Sequence, residues 1–257
     1  MALTGVTYEN HNFGTNRIGG TGIGSNDGQG IYTESSTPKH PLGEKVELSD
    51  GRVFRYASIA ATTAAGDIVS QDVSATAVVE KENGMTAAAV GATEVIITDS
   101  TTLGSATANQ YAGGYLHTID DAGEGYTYRI KSNTAASSNA VTFTLYDAVQ
   151  VAITTATDAA ITGNLYGKVR PALGSADYIA AGVAPRAFTA DYYGWVQTRG
   201  IATVRVDAGV AIGLPLMLSD ATAGQAEAAD NTHPLIGFAT FAQDTTNGSV
   251  GVALQLP

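Results

Sequence analysis

The chain has 257 residues, 44% of them hydrophobic and 14% charged, with a formal net charge of −11. This length and apolar content exclude a disordered chain and suit one long β domain or two smaller ones. The 13 basic residues are scattered, which argues against binding to nucleic acid or a polybasic membrane contact, and the absence of cysteine removes disulfides, thiolate catalysis and Cys-based zinc sites.

Residues 1–45 are rich in Gly and Asn and carry no apolar periodicity. Such a segment buries too little to fold alone. It reads as a tail, or as an extended arm that orders on a partner. Tyr8, Phe13, Ile18, Ile23, Ile31 and Tyr32 are spaced along it like anchors, which a plain linker does not need. Met1-Ala2-Leu3-Thr4-Gly5 has neither a basic region nor an apolar core, so the expectation is synthesis in a cytoplasm without a signal peptide.

From Val46 the pattern turns to strands. Val46-Glu47-Leu48 alternates, Asp50-Gly51 is a two-residue turn signal, and Val53-Phe54-Arg55-Tyr56 completes a hairpin. Gly66–Ser70 and Ala77–Glu80 are further short strands. In the middle of the chain, Glu94–Thr98, Tyr115–Ile119, Tyr126–Ile130 and Val141–Tyr146 read as strands. Asp147–Ala160 is ambiguous, because its alanines permit helix while Val149, Val151, Ile153, Thr154 and Thr155 favour strand. Tyr192–Gln197, Ile201–Val206, Leu216–Leu218, Ile236–Ala242 and Val250–Leu256 follow, the last pair joined by Asn247-Gly248. In the final strand Val250, Val252, Leu254 and Leu256 share one face. Many short strands and no amphipathic helix predict an all-β chain with a β-sandwich or barrel body and under a fifth helix. The expected organisation is an arm over 1–45, a body over 46–90 and 166–257, and an inserted β section over 91–165. Ala65–Asp72 weakly resembles Ile212–Asp220, as two strands entered through similar turns would.

No motif asks for catalysis, a cofactor or a metal. Gly20-Thr21-Gly22-Ile23-Gly24 lacks the spacing, the preceding strand and the Gly-Lys-Ser/Thr of a phosphate loop. His11, His40, His117 and His233 form no metal pair. Asp120, Asp121 and Glu124 crowd one glycine-containing loop, which reads as a solvated hairpin loop; weak calcium binding is its sharper alternative. Tyr192, Tyr193 and Trp195 are the densest aromatic group. Alternation places Tyr193 and Trp195 on one face and Tyr192 on the other, so one face packs a core and the other offers an interface. Charged residues fall well below the usual quarter. A surface so weakly charged costs little to desolvate, which suits a protein covered by partners.

Tyr193–Val204, Gly213–Asp220, Gly224-Gln225-Ala226 and Ile236–Ala239 resemble the C-terminal region of structural proteins of tailed-phage heads. Gly123–Ile130 has a similar character. The chain thereby resembles the capsid decoration, or cement, protein family. The resemblance implies a β-sandwich or barrel body, usually trimeric, on the outer capsid surface where capsomers meet, with the major capsid protein and copies of itself as partners. Tyr8, Phe13, Ile18, Ile23 and Tyr32 of the arm, and Tyr192, Tyr193 and Trp195 of the body, are then the candidate interface residues. The runner-up is a head fibre or tail-associated protein that contacts a host surface. A third class, a glycan hydrolase on a β scaffold, needs paired inward carboxylates about 5–9 Å apart.

Overall fold

The computed structural model describes residues 29–72, 79–81, 84–99, 103–173, 179–230, 233–243 and 248–256. The arm positions Tyr8, Phe13, Ile18 and Ile23 lie outside them. The protein is all-β: among the described residues the sole helical element is the 3-10 turn Leu103–Ser105. The strands, in chain order, are β1 (Lys45–Glu47), β2 (Val53–Ser58), β3 (Ile68–Gln71), β4 (Val79–Lys81), β5 (Glu94–Thr98), β6 (Tyr115–Asp120), β7 (Thr127–Asn133), β8 (Ala140–Leu145), β9 (Asp158–Thr162), β10 (Val169–Pro171), β11 (Ala180–Val183), β12 (Tyr193–Arg205), β13 (Pro215–Leu218), β14 (Ala226–Ala228), β15 (Leu235–Ala239) and β16 (Ser249–Gln255).

The chain divides into two units, 1–69 with 171–257, and 70–170. The expected boundaries at 91 and 165 therefore move outward to fall within β3 and β10. The apparent body residues 70–90 belong to the inserted unit, because β4 pairs with β9 and Met85 pairs with Ile97 and packs in that unit's core.

In the body a ten-stranded sheet follows the path β10-β3-β11-β12-β16-β15-β13-β14, with β2 alongside the first half of β12 and β1 beyond it. The two ends of the path meet. Gly224, just before β14, donates to the Ala172 carbonyl (2.6 Å) and accepts from the Ile68 N–H (2.8 Å), so the sheet closes barrel-like on a core. Val250, Val252 and Leu254 fill that core with Val204, Leu216, Leu218 and Ile236, and Leu256 packs against it, as the alternation of the last strand predicts. The segments expected as two strands, Tyr192–Gln197 and Ile201–Val206, are one strand, β12. A bulge at Thr198 interrupts its pairing with β2, and β16 takes over from Arg199 to Arg205. The first hairpin forms with a three-residue loop, Ser49 to Gly51. Leu48 N–H bonds Arg52 O (2.9 Å) and Gly51 takes the positive φ of +85° that closes it.

The unit 70–170 holds a six-stranded antiparallel sheet, β4-β9-β6-β7-β8-β5. Its strands alternate cleanly: Val141, Phe143 and Leu145 point into the core, and Thr142 and Thr144 point out. The ambiguous Asp147–Ala160 stretch is neither helix nor strand before β9. Its Val149 and Ile153 are buried, with backbone bonds to Ala92 and Ala88.

The weak self-similarity has a structural basis. Strand entries at 41–44, 64–67, 89–92, 111–114, 123–126, 189–192 and 211–214 share one four-residue turn. In each, the fourth residue's N–H bonds the first residue's carbonyl, and the third residue has positive φ, at Gly43, Gly66, Gly91, Gly113, Gly125, Asp191 and Gly213. That is the pattern of a type II turn, which favours Gly third. Each turn also docks on a neighbouring segment by a reciprocal pair. Gly66 N–H bonds Ala184 O (2.8 Å) while Ala184 N–H bonds Asp67 O (2.8 Å), and Gly213 N–H bonds Ala239 O (2.8 Å) while Ala239 N–H bonds Leu214 O (2.9 Å). The likeness is thus a recurring turn that satisfies a strand's first backbone groups.

Candidate functional site

The aromatic group on β12 is the first place to look, and its neighbours decide its role. Trp195 is fully buried, in one cluster with Ile31, Val46, Phe54 and Tyr56. Its Nε1–H donates to the Gln29 carbonyl (2.8 Å). Tyr56 donates its hydroxyl hydrogen to Gln29 Oε1 (2.6 Å) and accepts from the Lys39 N–H (3.0 Å). Gln29 Nε2 in turn donates to Thr33 O (2.9 Å) and Tyr193 O (2.7 Å). His40 sits 5.0 Å from both the Tyr56 and Trp195 rings, with Nδ1 3.3 Å from Glu44.

Two expectations are corrected here. Trp195 is an internal anchor with no surface to offer a partner. Tyr193 is half-buried and stacks on Tyr56 (6.4 Å, 12°), which leaves half-buried Tyr192 as the outward member. Residues 29–45 are not part of a free arm. They cover the body's aromatic cluster and pair with β12 through Ser35 and Tyr193. This cover has few apolar residues, because buried hydrogen bonds from Gln29 and single contacts such as Ile31 hold it. Tyr32, the described arm anchor, is 58% exposed.

On the outside of the body, one row of side chains crosses four adjacent strands. Register aligns Pro215 with Phe238, Phe238 with Ala253, and Ala253 with Ile201. Phe238 and Ile201 are exposed, as are nearby Leu235 and Phe241. Beside Ile201 lies a groove of about 380 Å³ lined by Tyr32, Arg52, Pro185, Ile201, Thr203 and Ser249. A contiguous apolar strip leading into a groove marks an interaction surface more than scattered exposed side chains do. Sequence reading missed this strip, because it depends on which residues β13, β15, β16 and β12 align.

The remaining candidates are structural. Asp120 at the end of β6 and Asp121 and Glu124 in the β6–β7 loop are all exposed, and Thr118 braces this loop by donating to Gly123 O. His117 lies between the hydroxyls of Thr127 (3.1 Å) and Thr162 (3.0 Å). Among the described residues no group of three or more His, Asp or Glu is placed to hold a metal ion.

Glu227 on β14 titrates abnormally. Burial raises its pKa, and the Asp207 carboxylate, with Asp220 and Asp230, raises it further; a backbone N–H of Asp220 works in the opposite direction. Folding therefore holds the proton more tightly than the unfolded chain does. The favourable contribution is complete at low pH and is lost as pH rises from the ordinary carboxylate value through the raised one. Glu227→Gln is expected to match the parent's melting temperature near pH 4 and to exceed it near pH 7 (about those values). A difference that shrinks with rising pH would contradict this.

Comparison with protein-family models, curated proteins and solved structures finds no match. Function is therefore read from the chain's own surface.

Proposed function

We propose that this protein is a virion structural protein that binds the outside of a phage capsid at capsomer junctions and stabilises the shell. The observation that carries this reading is the apolar row Pro215–Phe238–Ala253–Ile201 across the outside of the body. The low charge content supports it, since little hydration must be stripped when a partner covers the surface. The partners are the major capsid protein and further copies of this chain in a homotrimer. The protein acts by covering surface and not by chemistry.

The test is addition of the purified protein to shells that lack it. Binding is expected to saturate at a copy number tied to shell symmetry and to raise the shell's melting temperature. Phe238→Asp with Ile201→Asp should weaken binding by about tenfold or more, since two desolvated apolar contacts are worth more than 1.4 kcal/mol. Binding that never saturates, or that both substitutions leave unchanged, would overturn the proposal.

A second reading, host contact by a head fibre or tail-associated protein, is favoured by one feature of the unit 70–170. On its outer face Tyr115 on β6, Arg129 on β7 and Tyr146, the residue after β8, lie side by side, all exposed, with the Arg129 guanidinium 4.9 Å from the Tyr146 ring centroid. Adsorption of the full chain to host cells, lost on Tyr115→Ala with Tyr146→Ala, would select this reading.

A further inference from the structure

In the unit 70–170, strand register builds one row across the outer face of the sheet. Thr162 aligns with Tyr115 and Tyr115 with Arg129, and the Tyr146 N–H bonds the Arg129 carbonyl (2.9 Å) on the far side. Leu116, Tyr128, Ile130 and Leu145 point the opposite way, into the core. Tyr115 is 44% exposed and Tyr146 56%, so the fold does not use most of either ring. They flank Arg129 at one strand spacing each, which sets them about 10 Å apart.

Arg129 is held by a ring and not by an acid. Among the described residues, Arg52, Arg170, Arg186 and Arg205 each pair with a carboxylate. No carboxylate, that of neighbouring Asp147 included, pairs with Arg129, and its N–H groups have no protein acceptor. Stacking on Tyr146 fixes the guanidinium plane and leaves the hydrogen-bonding fork unused. Lys131 on the same strand is also exposed and unpaired. Asp120, Asp121 and Glu124 stand at the opposite end of the β6–β7 hairpin. In a chain of net charge −11, the row is a local cationic spot, complementary to an anion.

The surroundings select the kind of anion. His117 lies with Nδ1 3.1 Å from the Thr127 hydroxyl and Nε2 3.0 Å from the Thr162 hydroxyl, its ring 6.3 Å from that of Tyr115. The row holds rings, hydroxyls and cations but none of the aliphatic side chains that fill the centre of a protein interface. Sugars present C–H faces that stack on tyrosine and hydroxyls that exchange hydrogen bonds with Thr and His. We propose that this face binds an anionic saccharide. Sugar rings stack on Tyr115 and Tyr146, Arg129 grips the carboxylate of a uronic or sialic acid through both oxygens, and His117 with Thr162 bonds the hydroxyls. This rests on the second reading above, host contact through the unit 70–170, and names its ligand.

The full chain is titrated with polygalacturonate, hyaluronan and polysialic acid while its backbone amides are followed by NMR. Saturable binding to at least one polymer is expected, with shifts centred on Tyr115, Arg129 and Tyr146. Binding to none, or shifts centred elsewhere, would overturn the proposal. Arg129→Gln and Arg129→Lys should each weaken binding about tenfold or more, because lysine lacks the fork. Tyr115→Ala with Tyr146→Ala should weaken it by a similar factor of about ten. Melting temperatures should stay at the parent's value, since these side chains are exposed. Unchanged affinity in the variants would overturn the site. Methyl esterification of the bound polymer should abolish binding; equal binding would overturn the role of the anion. Polyglutamate should bind about tenfold more weakly or less; equal binding would show an acidic-peptide site and overturn the saccharide. Host contact is read separately by adsorption to cells. Adsorption that the tyrosine substitutions abolish, with no polymer bound, would leave host contact standing and refute the saccharide. Polymer binding without adsorption would support the saccharide and refute host contact alone.

Discussion

Removing residues 1–28 is expected to leave the body's melting temperature nearly unchanged in dilute solution, whereas removing residues 1–45 unfolds the body. From the sequence, the whole of 1–45 looks like a detachable arm whose loss weakens attachment alone. The structure shows that residues 29–45 pack on the body. Ile31 is 5% exposed in the cluster that holds Tyr56 and Trp195, and its burial contributes about 1.5–3 kcal/mol. The Tyr56 hydroxyl and the Trp195 indole N–H both donate to Gln29. Leaving each without its acceptor costs about 1–3 kcal/mol. The longer truncation also removes Lys45, the first residue of β1, and the Ser35 pairing on β12. The losses add to about 5 kcal/mol, enough to consume the stability of an ordinary domain. The chain's single tryptophan is Trp195, so its fluorescence reads this core directly. A red-shifted, non-cooperative signal is expected for the longer truncation and a native melting curve for the shorter one. Coincident melting curves for the two would show that residues 29–45 are not structural.

Gly114→Ala is expected to destabilise the unit 70–170 by about 3 kcal/mol or more. Gly114 enters β6 at the point where β9 ends. A Cβ at this position would collide with the Thr162 carbonyl oxygen and would also meet Tyr111 O at 3.0 Å and the Gly163 carbonyl carbon at 3.1 Å. All three are backbone atoms, so no rotamer change relieves the clash. Relief requires parting β6 from β9, whose pairing begins at Tyr115 and Thr162. Gly91→Ala is the control. Its Cβ meets nothing within 4 Å, so the cost is that of its φ of +90° alone, about 1 kcal/mol. Thermal melts followed by far-ultraviolet circular dichroism give both values. Equal destabilisation by the two substitutions would refute the steric argument.

Much of the strand content is legible locally. Glu94–Thr98 forms β5 at its expected limits, and the alternation of Val250, Val252, Leu254 and Leu256 identifies the core face of the last strand. Period-2 patterning is written in neighbouring residues, and burial of one face enforces it. β10, β11 and β14 carry no such signal. They are three or four residues long, β11 and β14 are built mainly from Ala and Gly, and each is a strand because of its neighbour. The aromatic trio shows the same division. Alternation correctly sets Tyr193 and Trp195 on one face, yet only the tertiary structure shows that this face is roofed by Gln29, which lies 166 residues from Trp195 in the chain. The interaction surface is still less legible. Pro215, Phe238, Ala253 and Ile201 form a row because four strands align in one register, and register is a property of pairing between distant segments. The sequence by itself determined the all-β class, the low charge and the inward faces, since each depends on residue type and short-range period. The tertiary structure decided that residues 29–45 pack on the body, which aromatics are buried and where the exposed apolar row lies, because long-range hydrogen bonds and strand register set them.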